Sequence, residues 1–286
     1  MPEVSIVIVT YNSKEDIAIC LGSIYKNCAE TDLEIIIADN NSTDGTVEIL
    51  QKLKEKFEDK FIDKKKEVKL IINSDNKGYT LANNQCIAEA KGKYILLLNP
   101  DIILIENSIE KLIKRMSEVK ADAIAPQLIN PDYSIQPSCR TFPEYSDIFF
   151  EFMQLPKLFP RHKLLARWKM GNFHHDYERE VEQPMAASLL IKKSVLDKVG
   201  NFDERFEMFF NDVDLCKKIK DNGFKIFFTN TTKMIHLKGT SVYKDRKRML
   251  KIWNQDCLRY FKKYFDNSIL YNLLKAGLKF SVYIRK

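Results

Sequence analysis

Apolar and polar positions alternate in blocks along the first 120 residues. VSIVIVTYN, Val4 to Asn12, is a β-branched apolar run that ends in polar residues. It is too short for a helix and predicts a buried strand. Ser13-Lys14-Glu15-Asp16 follows with the spacing of a capping box, and Ile17, Cys20, Leu21 and Ile24 fall on one face of the helix it opens. LEIIIADNNSTDGT repeats the pattern, with a strand from Leu33 to Ala38, a polar turn, and a helix through Ile49, Leu50 and Leu53. VKLIIN, Val68 to Asn73, predicts a third strand and a helix follows from about Leu81 to Ala90. YILLLN predicts the fourth strand, and Ser108 to Val119 another helix. Four such alternations predict an α/β fold, a mostly parallel sheet flanked by helices on both faces.

In sheets of this kind ligands sit beyond the carboxyl ends of the strands. Those ends here read Thr10-Tyr11-Asn12, Asp39-Asn40-Asn41, Asn73-Ser74-Asp75 and Asn99-Pro100-Asp101. Asn and Asp after a single strand are ordinary turn residues. Four polar ends in succession point to a site. Pro100 cannot continue a ladder, so the chain turns out of the sheet and presents Asp101 in the crevice.

The rhythm stops between Pro131 and Gln183, in a segment rich in aromatics and in both charges. It predicts an insertion with one or two short helices. Regular structure resumes at Met185, with a helix from about Asp212 to Asp221, a stop at Gly223 and a strand from Phe224. The tail predicts a helix with Leu250, Trp253, Cys257, Leu258, Phe261 and Phe265 on one stripe, and Lys251, Arg259, Lys262 and Lys263 off it.

Charge sharpens the reading of the tail. The 286-residue chain carries a net +7, yet residues 244–286 alone hold twelve Lys/Arg against three Asp/Glu, so the body is slightly acidic. A nucleic-acid protein more often shows a basic face across its body. A basic tail with aromatics fits either an anionic membrane surface or packing on the core. None of the six cysteines forms a CxxC pair, and Met1-Pro2-Glu3 leads at once into the first strand with no signal-peptide pattern. Both features predict reduced, buried cysteines and a cytoplasmic chain.

Three acidic points could carry chemistry: Asp39, Asp101 and the pair Asp212 and Asp214. A carboxylate after a strand can hold a hard divalent cation suited to diphosphates. A carboxylate at a helix start can serve as a general base. HLKGTS, His236 to Ser241, adds a histidine able to join a metal shell or donate to a phosphate. Asp214 reads as a helix-start carboxylate favoured by the dipole. His162, His174 and His175 read as surface residues without metal spacing.

The stretches VSIVIVTYNS, IIIADNNSTDGT, NKGYTLANNQCI, YILLLNPDI, GNFDERFEMFFNDVDLCKKIKDNGFKI and HLKGTS resemble, in order, those of a family 2 glycosyltransferase of the GT-A fold, and most closely its rhamnosyltransferase-like members. The resemblance covers about Val4 to Ser241. It implies a GT-A type, Rossmann-like domain over 1–241, an acceptor-side insertion at 142–184, and a basic amphipathic helical extension over 242–286. It implies that Thr10, Tyr11 and Asn12 line the nucleotide pocket and that Asp39 accepts from the ring N–H of a uracil or thymine base. Asn41 and Asp44 would shape the same loop, with Lys77 and Gly78 near the ribose or phosphates. Asn99 and Asp101 occupy the family's DxD position, and Asp101 with His236 would hold Mg²⁺ or Mn²⁺. Asp212 would be the catalytic base.

The implied activity is inverting, metal-dependent transfer of a sugar, rhamnose favoured, from a dTDP- or UDP-sugar to a glycan or lipid-linked saccharide in cell-surface polysaccharide synthesis. The implied place is the cytoplasm, at the inner face of the cell membrane if the tail docks there. Three departures from the family pattern stand out. Asn-Pro-Asp lacks one carboxylate of the DxD pair. Asn211-Asp212 stands where Glu-Asp is frequent, and Met185-Ala186-Ala187 where many members have Gly-Ala. The missing carboxylate is the feature that favours the rival reading, a non-catalytic nucleotide-sugar or glycan-binding scaffold. A nucleotidyltransferase would want a Gly-rich phosphate loop near the start, and VTYNSKED offers none.

Overall fold

Side chains alternate across the first strands, and the two sets bury against different helices. In β1 (Val4–Thr10), β2 (Leu33–Asp39) and β4 (Tyr94–Leu98), residues such as Ile6, Ile35 and Leu96 face one layer and Val7, Ile36 and Leu97 the other. All three strands are buried throughout, as a sheet covered on both faces requires. β3 (Glu67–Ile72) completes a parallel run β3-β2-β1-β4 at one side of a nine-stranded sheet. The computed structural model describes residues 2–28, 31–60, 67–238 and 246–284.

One layer holds α1 (Lys14–Asn27), α2 (Thr46–Lys60) and, further along, α4 (Ser108–Glu118), whose Ile17, Leu50 and Leu112 join one core. α3 (Tyr79–Glu89) covers the opposite face through Ala82 and Cys86. The start of α1 departs from the expected capping box. Ser13 Oγ donates back to the Tyr11 carbonyl at 3.2 Å, while its backbone N–H donates to Thr46 Oγ1 at 3.0 Å. The tie to the neighbouring loop takes precedence over the local cap.

After β4 the chain turns at residues 99–101 and crosses the sheet. β5 (Ile102–Leu104) forms its far edge, antiparallel to the strand that ends at His236. β6 (Ala123–Ile129) follows α4. β7 (Cys139–Arg140) then precedes the short helices α5 (Tyr145–Phe152) and α6 (Leu155–Leu158). β8 (Arg179–Glu180) and β9 (Gln183–Pro184) return the chain, β9 pairing with β7. β10 (Ser188–Lys192) is inserted antiparallel between β4 and β6. α7 (Lys193–Val199) and α8 (Asn211–Asp221) then pack on the α3 face, with Leu196, Leu215 and Ile219 in that core. β11 (Ile226–His236) runs parallel to β6.

The tail forms two helices where the sequence predicted one, α9 (Arg246–Tyr264) and α10 (Ser268–Ile284). The break is marked by Asn267, whose Oδ1 accepts from Leu270 N at 3.0 Å as an N-cap does. α9 packs against the body: Cys257, Tyr260 and Phe261 are fully buried with Ile148, Trp168, Phe206, Phe210 and Val213. All six cysteines are buried, and burial pushes the thiols of Cys86 and Cys139 up to about 12.

Candidate active site

Two loops at the carboxyl ends of β1 and β2 are stitched to each other. Asn12 and Asn41 adopt left-handed backbone, φ 51° and 63°, a conformation Asn tolerates better than most residues. Asn12 N donates to Ser42 Oγ at 2.8 Å, and Asn12 Oδ1 accepts from Thr43 N at 2.9 Å. Lys14 N reaches Asp44 Oδ2 at 3.2 Å. Asp39 is fully buried beneath this seam. Its Oδ1 accepts from Ser42 N at 2.8 Å, and its Oδ2 from Thr10 Oγ1 at 2.8 Å and Ser42 Oγ at 2.6 Å. Roughly one lone-pair site of the four on a carboxylate is left. Tyr11 is exposed, and Lys77 faces Asp75 at 3.4 Å on the surface. Gly78, φ 82°, opens α3 and its carbonyl accepts from Asn40 Nδ2 at 3.1 Å.

The turn between β4 and β5 brings Asp101 against the end of β11. His236 pairs with Ile102 in the antiparallel register, so its ring stands beside Asp101, with Nε2 3.3 Å from Oδ2. The other ring nitrogen settles the tautomer. Gln136 Nε2 donates to the His236 carbonyl at 3.2 Å and to Asn130 Oδ1 at 2.9 Å, which turns Gln136 Oε1 toward His236 Nδ1 at 2.6 Å. Nδ1 therefore carries a hydrogen, and Nε2 faces the Asp101 carboxylate. A carboxylate oxygen and an imidazole nitrogen this close could share a divalent cation, and a backing hydrogen bond on the far nitrogen is how metal-bound histidines are held. Among the described residues no group of three or more His, Cys, Asp or Glu side chains is placed to hold a metal. Two protein ligands would suit an ion that completes its shell with phosphate oxygens and water. Gly239 to Ser241 of HLKGTS, and with them the proposed 241/242 boundary, lie outside the described residues.

Asn99, Asp101, His236 and Asp212 all line one cleft of about 550 Å³. The other eight residues assigned from sequence, Thr10, Tyr11, Asn12, Asp39, Asn41, Asp44, Lys77 and Gly78, are not in its walls. They sit on the adjoining loops, joined to the cleft through Gly78 and its neighbour Tyr79, whose hydroxyl donates to Asn99 Oδ1 at 3.2 Å.

Asp212 occupies the first turn of α8. Its Oδ1 accepts from Val213 N at 2.8 Å and its Oδ2 from Gln183 Nε2 at 3.0 Å. Enclosure in the cleft pushes its pKa above the usual carboxylate value, partly offset by the Val213 N–H, the Arg140 charge and the Ala186 N–H. That is the direction that suits a general base. The residue before this helix, Phe210, has φ 59°, a strained conformation for a bulky side chain. Packing holds it there: its buried ring lies near-parallel to Trp168, 6.4 Å between centroids, and edge-on to Trp253 at 5.6 Å.

Sequence reasoning passed over several residues here. Arg140, Trp168 and Gln183 line the cleft, and Gln136 sets the His236 tautomer. Asp256 on α9 is fully buried and accepts from the backbone N–H groups of Glu207, Met208 and Phe209 at 3.2, 3.1 and 2.9 Å. It fixes the loop that leads into Asp212. The signal for it was present: an acid between Trp253 and Tyr260 on the apolar stripe of a basic tail. Two expectations need correction. Asp214 is more than a helix-start carboxylate, since it is fully buried and bound by Lys263 Nζ and by Tyr264 Oη at 2.7 Å, tying α8 to α9. His175 is not on the surface. It is fully buried, with Nδ1–H toward the Phe173 carbonyl at 2.9 Å and Nε2 accepting from Ser138 and Cys139 N–H groups, and burial lowers its pKa.

The sequence profile described as Glycosyl transferase family 2 matches residues 5–176. The chain belongs to that family. It is similar to the N-acetylglucosaminyl-diphospho-decaprenol L-rhamnosyltransferase of Mycobacterium tuberculosis, 27% identical over 252 residues that cover 84% of this chain and 78% of that protein. Its fold is similar to that of mannosyltransferase PcManGT from Pyrobaculum calidifontis, solved with GDP-Man and Mn²⁺, with a TM-score of 0.60 at 16% identity over 99% of this chain and 70% of that one. It is also similar to residues 1–349 of S. aureus TarS, with a TM-score of 0.56 at 15% identity over 91% and 72%. These likenesses place the glycosyltransferase in the GT-A class of folds.

Proposed function

We propose that this glycosyltransferase inverts configuration as it moves a sugar from a dTDP- or UDP-sugar onto a glycan or lipid-linked saccharide in cell-surface polysaccharide synthesis. Rhamnose is the favoured sugar, on the sequence resemblance and the mycobacterial relative. The observation that carries the reading is that Asp101, His236 and Asp212 face one cleft from three distant parts of the chain. The donor's base lies against the β1 and β2 loops, where Asp39 accepts from its ring N–H through the lone pair that Thr10 and Ser42 leave. Thr10, Tyr11, Asn12, Asn41 and Asp44 form that shelf, and Lys77 and Gly78 border the ribose and phosphates.

Asp101 and His236 would hold Mg²⁺ or Mn²⁺, with Asn99 beside them in the cleft. A bound divalent ion offsets the charge that grows on the leaving nucleotide. Asp212 takes the proton of the acceptor hydroxyl as that oxygen attacks the anomeric carbon and the diphosphate departs from the opposite face. General-base help of this kind contributes roughly 10²–10⁴-fold.

For the membrane contact, the reading narrows from the whole tail to α10. Ile269, Leu273, Ala276 and Phe280 recur at helical spacing and are exposed, with Lys275 and Lys279 beside them and no acidic residue in the helix. Among the described residues no helix is long and apolar enough to cross a membrane.

The test is a thermal-shift screen against dTDP- and UDP-sugars with and without Mn²⁺, followed by turnover of the best donor. A true donor raises the melting midpoint by mass action. Asp212→Asn should keep that shift and lose at least 10²-fold in transfer. It should also melt no lower than wild type near neutral pH. The folded state binds more protons than the unfolded one once the Asp212 pKa is raised, so ionising it costs stability that Asn does not pay. Full turnover by Asp212→Asn removes the assigned base.

A further inference from the structure

The β7–β9 ribbon sets Arg140 opposite Gln183, and residues opposite each other in an antiparallel pair project to the same side. Both line the cleft beside Asp212. Gln183 Nε2 donates to Asp212 Oδ2 at 3.0 Å and to the Pro184 carbonyl at 3.2 Å. Both partners are acceptors, so the amide has one orientation, nitrogen toward the base and Oε1 away from it. That Oε1 is buried and accepts no hydrogen bond among the described residues. Trp168, another wall of the same cleft, buries its Nε1–H and donates to nothing among the described residues. Gln183 is 2% exposed and Trp168 7%. Native interiors rarely leave such atoms unpaired, and when they do the site commonly awaits a ligand or water.

The two orphans are complementary in sense. One is a carbonyl that needs a donor and the other an N–H that needs an acceptor, and a single hydroxyl supplies both. The wall around them is aromatic. Trp168 lies near-parallel to Phe210, Trp253 stands edge-on to it, and the Arg140 guanidinium sits 5.2 Å over the Trp168 ring. An aromatic wall with a few placed polar atoms is how pockets orient a flat, hydroxylated ligand.

We propose that Trp168 Nε1–H and Gln183 Oε1 form the acceptor subsite and grip one hydroxyl of a pyranose, on the carbon next to the one whose oxygen attacks. The assignment rests on Asp212 being the base. The Gln183 amide spans the distance from that base to the orphan oxygen, so a sugar seated with its nucleophilic hydroxyl on Asp212 lays its neighbouring substituent against Gln183 Oε1. A sugar lacking that hydroxyl leaves both buried atoms unpaired, and such sites reject the deoxy analogue strongly. Arg140 holds the Trp168 ring plane and leaves its edge to the sugar.

The test uses the full chain and a panel of octyl β-glycosides (glucoside, galactoside, mannoside and N-acetylglucosaminide) with their monodeoxy counterparts, binding being read by saturation-transfer NMR and titration. At least one parent glycoside should bind, and removal of one particular ring hydroxyl should weaken it about tenfold or more. Trp168→Phe keeps an aromatic ring and deletes the N–H. It should weaken the parent glycoside about five- to tenfold, the loss of one neutral hydrogen bond, and leave the affinity for that deoxy sugar where it was. Gln183→Met, which keeps the side-chain length, should show the same pattern if the Phe variant folds poorly. Equal losses for parent and deoxy sugar, no loss, or no binding anywhere in the panel overturns the subsite. Failure of the glycosyltransferase reading registers separately, as absence of turnover with every nucleotide sugar whatever the glycosides do.

Discussion

The two sides of the cleft are built differently. The side assigned to the donor consists of loops that follow β1, β2 and β4, each a few residues long, tied by backbone groups and short polar side chains such as Asn12, Ser42 and Asp44. Its polar atoms are largely satisfied before any ligand arrives, Asp39 most of all. The side assigned to the acceptor consists of large side chains from β7, β9, the 160s, the start of α8 and α9, and it leaves Trp168 Nε1 and Gln183 Oε1 without a partner among the described residues. The two sides differ in the range of the contacts that hold them. Local chain geometry, repeated at neighbouring strand ends, ties the first. Distant elements hold the second, through Phe210 in its strained backbone and Asp256 beneath the 207–209 loop.

Asp256→Ala attacks the acceptor side at its support. It strands three backbone N–H groups, while the exposed Arg259 returns to water, so unfolding by urea should show a loss of about 3 kcal/mol. Transfer should fall on the order of 10²-fold through misplacement of Asp212, while the donor-induced thermal shift persists. A variant that loses donor binding in the same proportion would erase the distinction between the two sides.

Gln183→Met touches one bond of that wall. The lost hydrogen bond favoured ionised Asp212, so the pKa, already raised by enclosure, rises further. Because the base must be ionised, the acid limb of the kcat–pH profile should move to higher pH, with activity largely recovered on the alkaline side. An unmoved limb would separate Gln183 from the base.

The smallest effect on catalysis belongs to α10. Leu273, 63% exposed, changed to Glu should leave melting and turnover as they are and reduce flotation with anionic liposomes. Equal flotation of wild type and variant removes α10 from any membrane role. α9 and α10 read alike in sequence, both basic and both striped with apolar residues. α9 buries its stripe around Asp256, whereas α10, among the described residues, packs Tyr271, Leu274 and Leu278 inward and turns Ile269, Leu273 and Phe280 outward. A stripe records that something covers a helix face, not what covers it.

Legibility followed the range of the interactions. The strands and helices up to Val119 could be read because period-2 and period-3.6 patterns are local, and the polar strand ends marked Asp39 and Asp101 for the same reason. β5 and α10 were not legible, the first because three residues after a proline turn carry too little pattern, the second because one Asn between two apolar stripes marks a cap only once the chain has turned there. His175 read as a surface residue because a histidine in a charged segment gives no sign that two backbone N–H groups will close over it.

By itself the sequence determined the alternating layers, the carboxylates and the histidine that the strand ends and helix starts would carry, and the family to which the chain belongs. Each is assembled from short stretches in which propensity and spacing act directly, and the family from six such stretches in order. Only the tertiary structure decided that Asp101 would meet His236, that Gln183 would hold Asp212, and that Asp256 would support the loop before it. Those contacts join residues from 29 to 135 positions apart. They exist because burial and register bring strands and helices together, and no local pattern encodes which side chains then face one another.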